Sequence, residues 1–260
     1  MTHHDPKAPT VPDGCGRCRT GDRDAFRSDF TMAFQPIVDI GTGAIFGHEA
    51  LVRGIDGSGA GAVLSQLRED TLYSFDQLCR VKAITLGSRL GIDTMLSINF
   101  MPNAIYEPTR CLKTTLNAAR STGFPSHRLM FELTESEAVR DLGHLRRIFA
   151  TYREAGFTLA IDDFGAGYAG LGLLADMEPD IVKLDMHLIR GIDRDARRRH
   201  ILDAMVTLSD RLGFRLVAEG IETAEELAAV REAGIALCQG FLLARPRFEG
   251  LVPAAEITLA

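Results

Sequence analysis

The sequence predicts an α/β fold, a closed (β/α)8 barrel of TIM type modified by one antiparallel strand at its start. Strand-like and helix-like stretches alternate along the chain, which is typical of a parallel sheet. About eight strands fall within about 230 residues, which is enough to close such a sheet into a barrel. The first two strands are joined by a short glycine turn and form a hairpin, which a regular barrel lacks. A doubly wound open sheet is the alternative fold.

Eight apolar stretches have the length and composition of strands. They cover residues 32–39, 45–53, 95–100, 128–134, 158–162, 180–185, 214–219 and 235–239. The first two flank the turn Gly41-Thr-Gly43, so they predict the hairpin. Pro36 marks an edge or an irregular position of the first strand, because proline cannot donate a ladder hydrogen bond.

Seven stretches have helical character. They lie around residues 61–69, 73–90, 109–122, 137–155, 168–176, 194–212 and 223–233. Gly91 and Gly213 follow two of them and are natural stops at a helix C-terminus. Four apolar residues of the sixth stretch recur at helical spacing, and we expect them to face the core: Ile201, Met205, Leu208 and Leu212.

The length of 260 residues fits one large domain, and 46% hydrophobic residues are typical of a full core. The net charge is −6 with scattered Lys and Arg, which argues against a surface for a nucleic-acid polymer. No apolar run approaches the roughly 20 residues of a membrane span, and the N-terminus lacks the apolar core of a signal peptide. We therefore expect a cytoplasmic protein without a membrane partner.

Residues 1–24 are polar, without periodicity, and predict a flexible tail ahead of a domain at 25–260. The tail contains Cys15-Gly-Arg-Cys18 and two histidines, which would suit zinc or a redox pair. A lone Cys-x-x-Cys is weak evidence for either, and the alternative is a tail or the remnant of a partner contact. The five cysteines are odd in number and scattered, which favours reduced thiols.

Two adjacent carboxylates, Asp162 and Asp163, stand where an apolar strand meets a glycine-rich turn. Neighbouring residues of a strand point to opposite sides, so both reach one site only where the chain bends. Gly165 and Gly167 would permit that bend. Carboxylates placed together repel each other unless a cation lies between them. The alternative is an acidic turn that caps the next helix.

Polar residues also interrupt the other strands near their carboxyl ends, where barrel enzymes have their active sites. The set is Glu49, Asn99, Glu132, Asp162, Asp163, Lys183, Glu219 and Gln239. Strand alternation places four of them, Glu132, Asp162, Lys183 and Glu219, on the face of the apolar residue two positions earlier. It places Asn99 on the face of Ser97, and the carboxylates are therefore expected to converge in the lumen. Uncompensated buried carboxylates are costly, and oxygen ligands favour Mg²⁺ or Mn²⁺ over zinc. For each residue alone, a salt-bridged strand end is the alternative.

The stretch Glu49-Ala-Leu51, followed by Val52-Arg53, resembles the signature of the EAL-domain family, bacterial phosphodiesterases that hydrolyse cyclic di-GMP to linear pGpG. The resemblance extends over residues 30–246 and implies a modified TIM barrel, so that residues 25–260 would be the phosphodiesterase domain. Seven further motifs stand in the family's order: Gln35-Pro-Ile37, Ser97-Ile-Asn-Phe100, Glu132-Leu-Thr-Glu135, Asp162-Asp-Phe-Gly-Ala-Gly-Tyr168, Lys183-Leu-Asp185, Ala218-Glu-Gly-Ile-Glu222 and Gln239-Gly-Phe241.

The resemblance also implies residue roles. The metal ligands would be Glu49, Asn99, Glu132, Asp162, Asp163 and Glu219. The catalytic group would comprise Glu49, Lys183, Glu219 and Gln239, with Lys183 against the attacking water or the phosphate. Substrate contacts would come from Arg53, Leu51 and Gln35. Glu135 would anchor the loop after Asp163, and Asp185 and Glu222 would support the ligands from behind.

The implied reaction is metal-assisted hydrolysis of a phosphodiester. Two cations about 3.5–4 Å apart would lower the pKa of a bridging water, and the hydroxide would attack phosphorus in line with the leaving 3′ oxygen. The resemblance further implies a homodimer, and we expect a sensor or regulator protein as an upstream partner. The alternatives are a catalytically silent cyclic di-GMP receptor or protein-interaction module, and a barrel hydrolase for another phosphodiester.

The loop after Asp163 departs from the family pattern. Ala166, Ala169 and Gly170 stand where the family has hydroxyl residues, and Phe241 stands where tyrosine is common. These changes remove hydroxyls that would hold the loop in place, but they remove no ligand.

Overall fold

The computed structural model describes residues 29–134, 141–167 and 170–259, and it confirms the predicted barrel. The tail with Cys15 and Cys18 and the proposed anchor Glu135 lie outside the described residues. Within them, nine strands form one sheet: β1 Phe30–Asp39, β2 Ala44–Gly54, β3 Met95–Asn99, β4 Leu129–Thr134, β5 Thr158–Phe164, β6 Ile181–Leu184, β7 Arg215–Ala218, β8 Leu237–Cys238 and β9 Arg247–Phe248.

Strands β2 to β8 are parallel and follow one another in chain order around the barrel. Strand β1 closes the barrel because it pairs antiparallel with β2 and, at Val38 and Asp39, with β8. The short strand β9, which the sequence did not predict, pairs with β1 at Ala33 and Phe34. Pro36 pairs with His48 of β2, and it lies between the segments of β1 that pair with β9 and with β8.

Eight α-helices lie within the described residues and cover the outside of the barrel. They are α1 Ala60–Leu64, α2 Leu72–Arg89, α3 Pro108–Thr122, α4 Leu142–Glu154, α5 Gly170–Met177, α6 Met186–Ile189, α7 Ala196–Leu212 and α8 Ala224–Glu232. The stop predicted at Gly213 is present, since that residue has a left-handed φ of 80°. None of the described helices combines the length and the apolar character needed to cross a membrane.

The helices differ from the predictions in three respects. The helix expected at 61–69 ends at Leu64, and the short helix α6 was not predicted. In α7 the predicted core face is wrong in part, because Ile201 and Leu212 are exposed. The helix instead buries Leu202, Met205 and Ser209, and Ser209 satisfies its hydroxyl by donating to the Val206 carbonyl at 2.8 Å. Because the polar Ser209 lies on the buried face of α7, a prediction from apolar residues alone chose a different face.

The barrel lumen has an apolar floor beneath a polar layer. The floor consists of Ile37, Met130, Ala160, Ile181, Val217 and Leu237. Each of these residues lies two positions along its strand from a polar residue, so the alternation places the polar side chains one layer above the floor. That layer contains Gln35, Glu132, Asp162, Lys183, Glu219 and Gln239. The apolar floor keeps water away from the charged layer on its lower side.

We expect Gly240→Ala to destabilise the upper rim of the barrel, because a Cβ there would overlap the backbone nitrogen and oxygen of Ile221. Such overpacking typically lowers the free energy of unfolding by about 1–3 kcal/mol. The matched control is Gly172→Ala on α5, where an added Cβ meets nothing within 4 Å. Denaturant unfolding should show a loss for the first variant and no loss for the second. Equal midpoints would contradict the close approach.

Candidate functional site

A single buried ammonium group lies at the centre of the polar layer. The side chain of Lys183, on β6, has no exposed surface. Its Nζ lies 2.9 Å from Asp162 Oδ1 and from Glu219 Oε1. The same atom lies 3.0 Å from Glu132 Oε2 and 3.4 Å from Glu49 Oε2. Four carboxylates from β2, β4, β5 and the residue after β7 therefore converge on one lysine.

Amide side chains hold Glu49 from two further directions. Gln239 Nε2 donates to Glu49 Oε2 at 2.7 Å and to Gln35 Oε1 at 3.2 Å. Asn99 Nδ2 donates to the other oxygen, Glu49 Oε1, at 3.2 Å. Gln35 in turn donates to the Ala244 carbonyl at 3.1 Å. Both oxygens of Glu49 are thus fixed by neighbouring strands.

The bend that brings the two aspartates together starts at Asp163 itself, whose φ is 54°. The sequence placed the bend at Gly165 and Gly167, after a strand ending at Asp162, whereas β5 continues to Phe164. The pairing with β6 shifts register between Ile161 and Phe164, so the irregularity lies inside the strand. A left-handed non-glycine residue costs of order 1–3 kcal/mol and persists where the surrounding structure imposes it.

The carboxylates form two overlapping groups that suit a metal ion. Glu49, Glu132 and Asp162 make one group, and Asp162, Asp163 and Glu219 make the other. Within each group the ligand oxygens lie within 4.8 Å of one another, and Asp162 belongs to both. The set has only oxygen donors, as Mg²⁺ and Mn²⁺ prefer. Five carboxylates face one ammonium, so divalent cations would offset the excess negative charge.

The pKa values of the site reflect burial first and the mutual repulsion of the carboxylates second. Burial raises the pKa of Glu132 to about 8, although Lys183 opposes the shift and Glu49 adds to it. Burial and the charge of Asp162 raise the pKa of Asp163 to about 6. Burial also raises the pKa of Glu219 well above its usual value. One lysine is therefore too little positive charge to keep all five carboxyl groups ionised at neutral pH.

A pocket of about 400 Å³ opens beside the cluster. Leu51, which the sequence assigned to the substrate, lines it together with Asn99, Asp162 and Asp163. Much of the remaining wall is apolar and comes from β1, β2, α1 and α2, with Phe75 at its back. A ligand bound here would touch the carboxylates on one side and apolar surface on the other.

Several residues assigned from the resemblance make hydrogen bonds or ion pairs outside the carboxylate cluster, although the charge of Asp185 also acts on Asp163. Arg53 Nη1 donates to the Val52 carbonyl at 2.7 Å. Asp185 caps α6 by accepting from the His187 backbone N–H at 2.8 Å. Glu222 Oε1 lies 2.6 Å from Arg190 Nη2, and both side chains are exposed. The side-chain amide of Gln35 donates to the Ala244 carbonyl and accepts from Gln239.

Sequence reasoning missed Glu226, which organises the loops after β6 and β7. Its Oε2 accepts from the Glu222 and Thr223 backbone N–H groups at 3.0 and 3.2 Å. Its Oε1 accepts from the Gly191 N–H at 2.9 Å. Thr223-x-x-Glu226 is a capping box, so this pattern in the sequence was the signal that could have found it.

Comparison with known proteins gives consistent results. A profile of the EAL domain matches residues 23–246. Among solved structures, a standalone versatile EAL protein from Vibrio cholerae O395, in c-di-GMP bound form, is 51% identical with a TM-score of 0.85. The match covers 87% of this chain and 96% of that one. A manganese/cy-diGMP complex of BlrP1 from Klebsiella pneumoniae is 32% identical, with a TM-score of 0.82 over 86% of this chain and 58% of that one.

Curated relatives are longer than this chain. The blue light- and temperature-regulated antirepressor BluF of Escherichia coli K12 is 30% identical over 221 residues, which are 85% of this chain and 55% of BluF. The cyclic di-GMP phosphodiesterase PA2567 of Pseudomonas aeruginosa is 29% identical over 231 residues, 84% of this chain and 38% of that protein. The chain thus spans about half or less of these relatives.

We expect Lys183→Met to destabilise the metal-free protein strongly, because it leaves the buried carboxylates without their cation. Removing one partner of a buried ion pair typically costs about 3–5 kcal/mol. Thermal unfolding in EDTA should show this loss, and excess Mn²⁺ should reduce it. The control is Lys113→Met on the exposed face of α3, which should unfold like the wild type in both conditions. An unchanged midpoint for Lys183→Met in EDTA would show that the lysine does not hold the cluster.

Mn²⁺ affinity should rise with pH between pH 6 and pH 8. The pKa values of Asp163 and Glu132, about 6 and about 8, mean that protons occupy the site at the lower end of this range. A cation must displace them, so the affinity should increase by about tenfold per pH unit while one proton is released. Calorimetry in buffers of different ionisation enthalpy measures both quantities. A pH-independent affinity without proton release would contradict the raised pKa values.

Proposed function

The chain belongs to the EAL-domain family, and on that premise we propose that it is a metal-dependent phosphodiesterase that hydrolyses cyclic di-GMP to linear pGpG. The observation that supports this most is the convergence of four carboxylates on Lys183 beside a pocket of about 400 Å³. Relatives named cyclic di-GMP phosphodiesterases, and solved structures with that dinucleotide bound, support the choice of substrate.

We propose that two divalent cations, Mg²⁺ or Mn²⁺, bind at the two carboxylate groups. Their ligands would be Glu49, Asn99, Glu132, Asp162, Asp163 and Glu219. When bound, such ions make hydroxide available from water near neutral pH and offset charge on phosphoryl oxygens. BlrP1, which has been solved with manganese and with calcium beside cy-diGMP, supports this proposal by its similarity.

The protein's own residues would act as follows. Lys183 keeps a positive charge among the carboxylates. This charge would attract the substrate phosphate and stabilise the negative charge that develops on its oxygens during hydrolysis. Glu49 is held at both oxygens, so it presents a ligand of fixed direction. Gln239 provides one of these contacts, and Gln35 acts by holding Gln239. Arg53 would exchange its contact with the Val52 carbonyl for a substrate phosphate.

Three further acidic residues would act on the loops and ligands around the site. Glu135 would anchor the loop after Asp163. Asp185 would support Asp163, whose pKa its charge helps to raise, whereas Glu222 would act through the loop that Glu226 holds. We also propose a cytoplasmic homodimer that responds to a sensor or regulator protein.

One observation favours a second candidate function, a cyclic di-GMP receptor or protein-interaction module without turnover. The loop after Asp163 has Ala166 where the family has a hydroxyl residue, and the similar protein BluF is named an antirepressor. Chromatography of cyclic di-GMP incubated with the protein and Mn²⁺ separates the two. Formation of pGpG supports the enzyme, and binding of unchanged substrate supports the receptor.

Glu49→Gln should abolish turnover while the fold persists, because it removes the negative charge of a ligand and keeps its shape. We expect a loss of at least about 100-fold in pGpG formation, because mutation of residues that only orient metal ligands already costs about 10–100-fold. The matched control is Glu225→Gln on the exposed surface of α8, which makes the same charge change and should keep wild-type activity. Near-normal turnover by Glu49→Gln would refute the assignment.

A further inference from the structure

A buried ion pair lies on α2, and its acidic partner, Asp76, lines the pocket beside the carboxylates without being one of the proposed metal ligands. Asp76 and Arg80 are 3% and 0% exposed, and Arg80 Nη2 lies 2.7 Å from Asp76 Oδ2. Burying two charges costs desolvation, so a well-packed apolar pair of similar volume is often as stable. The stability of the helix therefore does not explain this pair, and its contacts with the strand ends are more informative.

Asp76 contacts the backbone where β3 leaves the sheet. The strand ends at Asn99, and the next amide, Phe100 N–H, still donates to the Glu132 carbonyl of β4 at 3.0 Å. The following amide, Met101 N–H, donates instead to Asp76 Oδ1 at 3.0 Å. Asp76 thus fixes the direction of the chain two residues after a proposed metal ligand.

Arg80 contacts the outer faces of the same two strands. Its guanidinium carbon lies 5.9 Å from the centre of the Phe100 ring and 5.2 Å from that of Phe131. Each phenylalanine is the chain neighbour of a proposed ligand, Asn99 or Glu132, and alternation turns it to the opposite side. Arg80 Nη1 also donates to the Tyr152 hydroxyl at 2.5 Å, which connects α2 to α4.

We propose that Asp76 is a positioning residue for the metal site, and that Arg80 holds its carboxylate in place. Through the Met101 amide, Asp76 sets the exit of β3 and with it the direction of the Asn99 side chain toward Glu49 and the cations. This inference rests on the proposed function. It assigns to a residue outside the ligand set a share in the affinity for the metal.

Two double variants separate this role from a structural one. Asp76→Leu with Arg80→Met removes both charges and the acceptor for Met101 N–H. Asp76→Asn with Arg80→Met removes the same charges but keeps an acceptor. Neither leaves an unpaired buried charge, and both lose the same contact between Arg80 and Tyr152, so a difference between the two variants reports the acceptor at position 76.

The probe is Mn²⁺ alone, titrated without substrate and followed by the electron paramagnetic resonance signal of the free ion. Residues that orient metal ligands typically change affinity by about 10–100-fold when mutated. We expect such a loss for the Leu variant and a recovery toward the wild-type affinity for the Asn variant. Equal affinities in the two variants would overturn the positioning role.

Hydrogen exchange of the wild type provides a test that does not depend on the folding of either variant. The Met101 amide should be protected before any Mn²⁺ is added, because its acceptor belongs to the protein. Rapid exchange of that amide would overturn the inference. If the wild type binds no Mn²⁺, both this inference and the proposed function are wrong. If the wild type binds Mn²⁺ and hydrolyses the substrate but the two variants bind Mn²⁺ equally, only this inference is wrong.

Discussion

The constraint on which the structure depends is the crowding of five carboxylates around one ammonium group. Lys183 contacts four of them, and its side chain is completely buried. The apolar floor of the lumen closes the site from below, so the charges can be balanced only from within the protein or from the open rim. Burial, reinforced by the neighbouring carboxylates, raises the pKa values of Glu132, Asp163 and Glu219.

The fold supplies each part of this arrangement by a separate device. Parallel strands bring their carboxyl ends to one rim, and the antiparallel strand β1 adds Gln35 from the opposite chain direction. The left-handed conformation of Asp163 adds a fifth carboxylate that a regular strand would have turned away. The capping box of α8 ties the loops that follow β6 and β7, next to Lys183 and Glu219.

Much of this was accessible from the sequence because the signals were periodic. Apolar and polar residues alternate along each strand, so the strand list, the lumen layer and the convergence of its carboxylates could all be predicted. The local backbone geometry and the exact helix faces could not be predicted in this way. Glycines at 165 and 167 made the bend look later than Asp163, although aspartate tolerates the left-handed region, and the α7 face depended on a serine that satisfies its own hydroxyl. Asp76 gave no signal either, because its partner Met101 is a backbone amide far along the chain.

The carboxylate cluster around Lys183 should be a site for divalent cations. Anomalous diffraction near the manganese absorption edge, from a crystal grown or soaked with Mn²⁺, tests this without any assay of activity. We expect two anomalous peaks, one bounded by Glu49, Glu132 and Asp162, the other by Asp162, Asp163 and Glu219. A crystal that contains Mn²⁺ in its solvent but shows no peak at either position would contradict it.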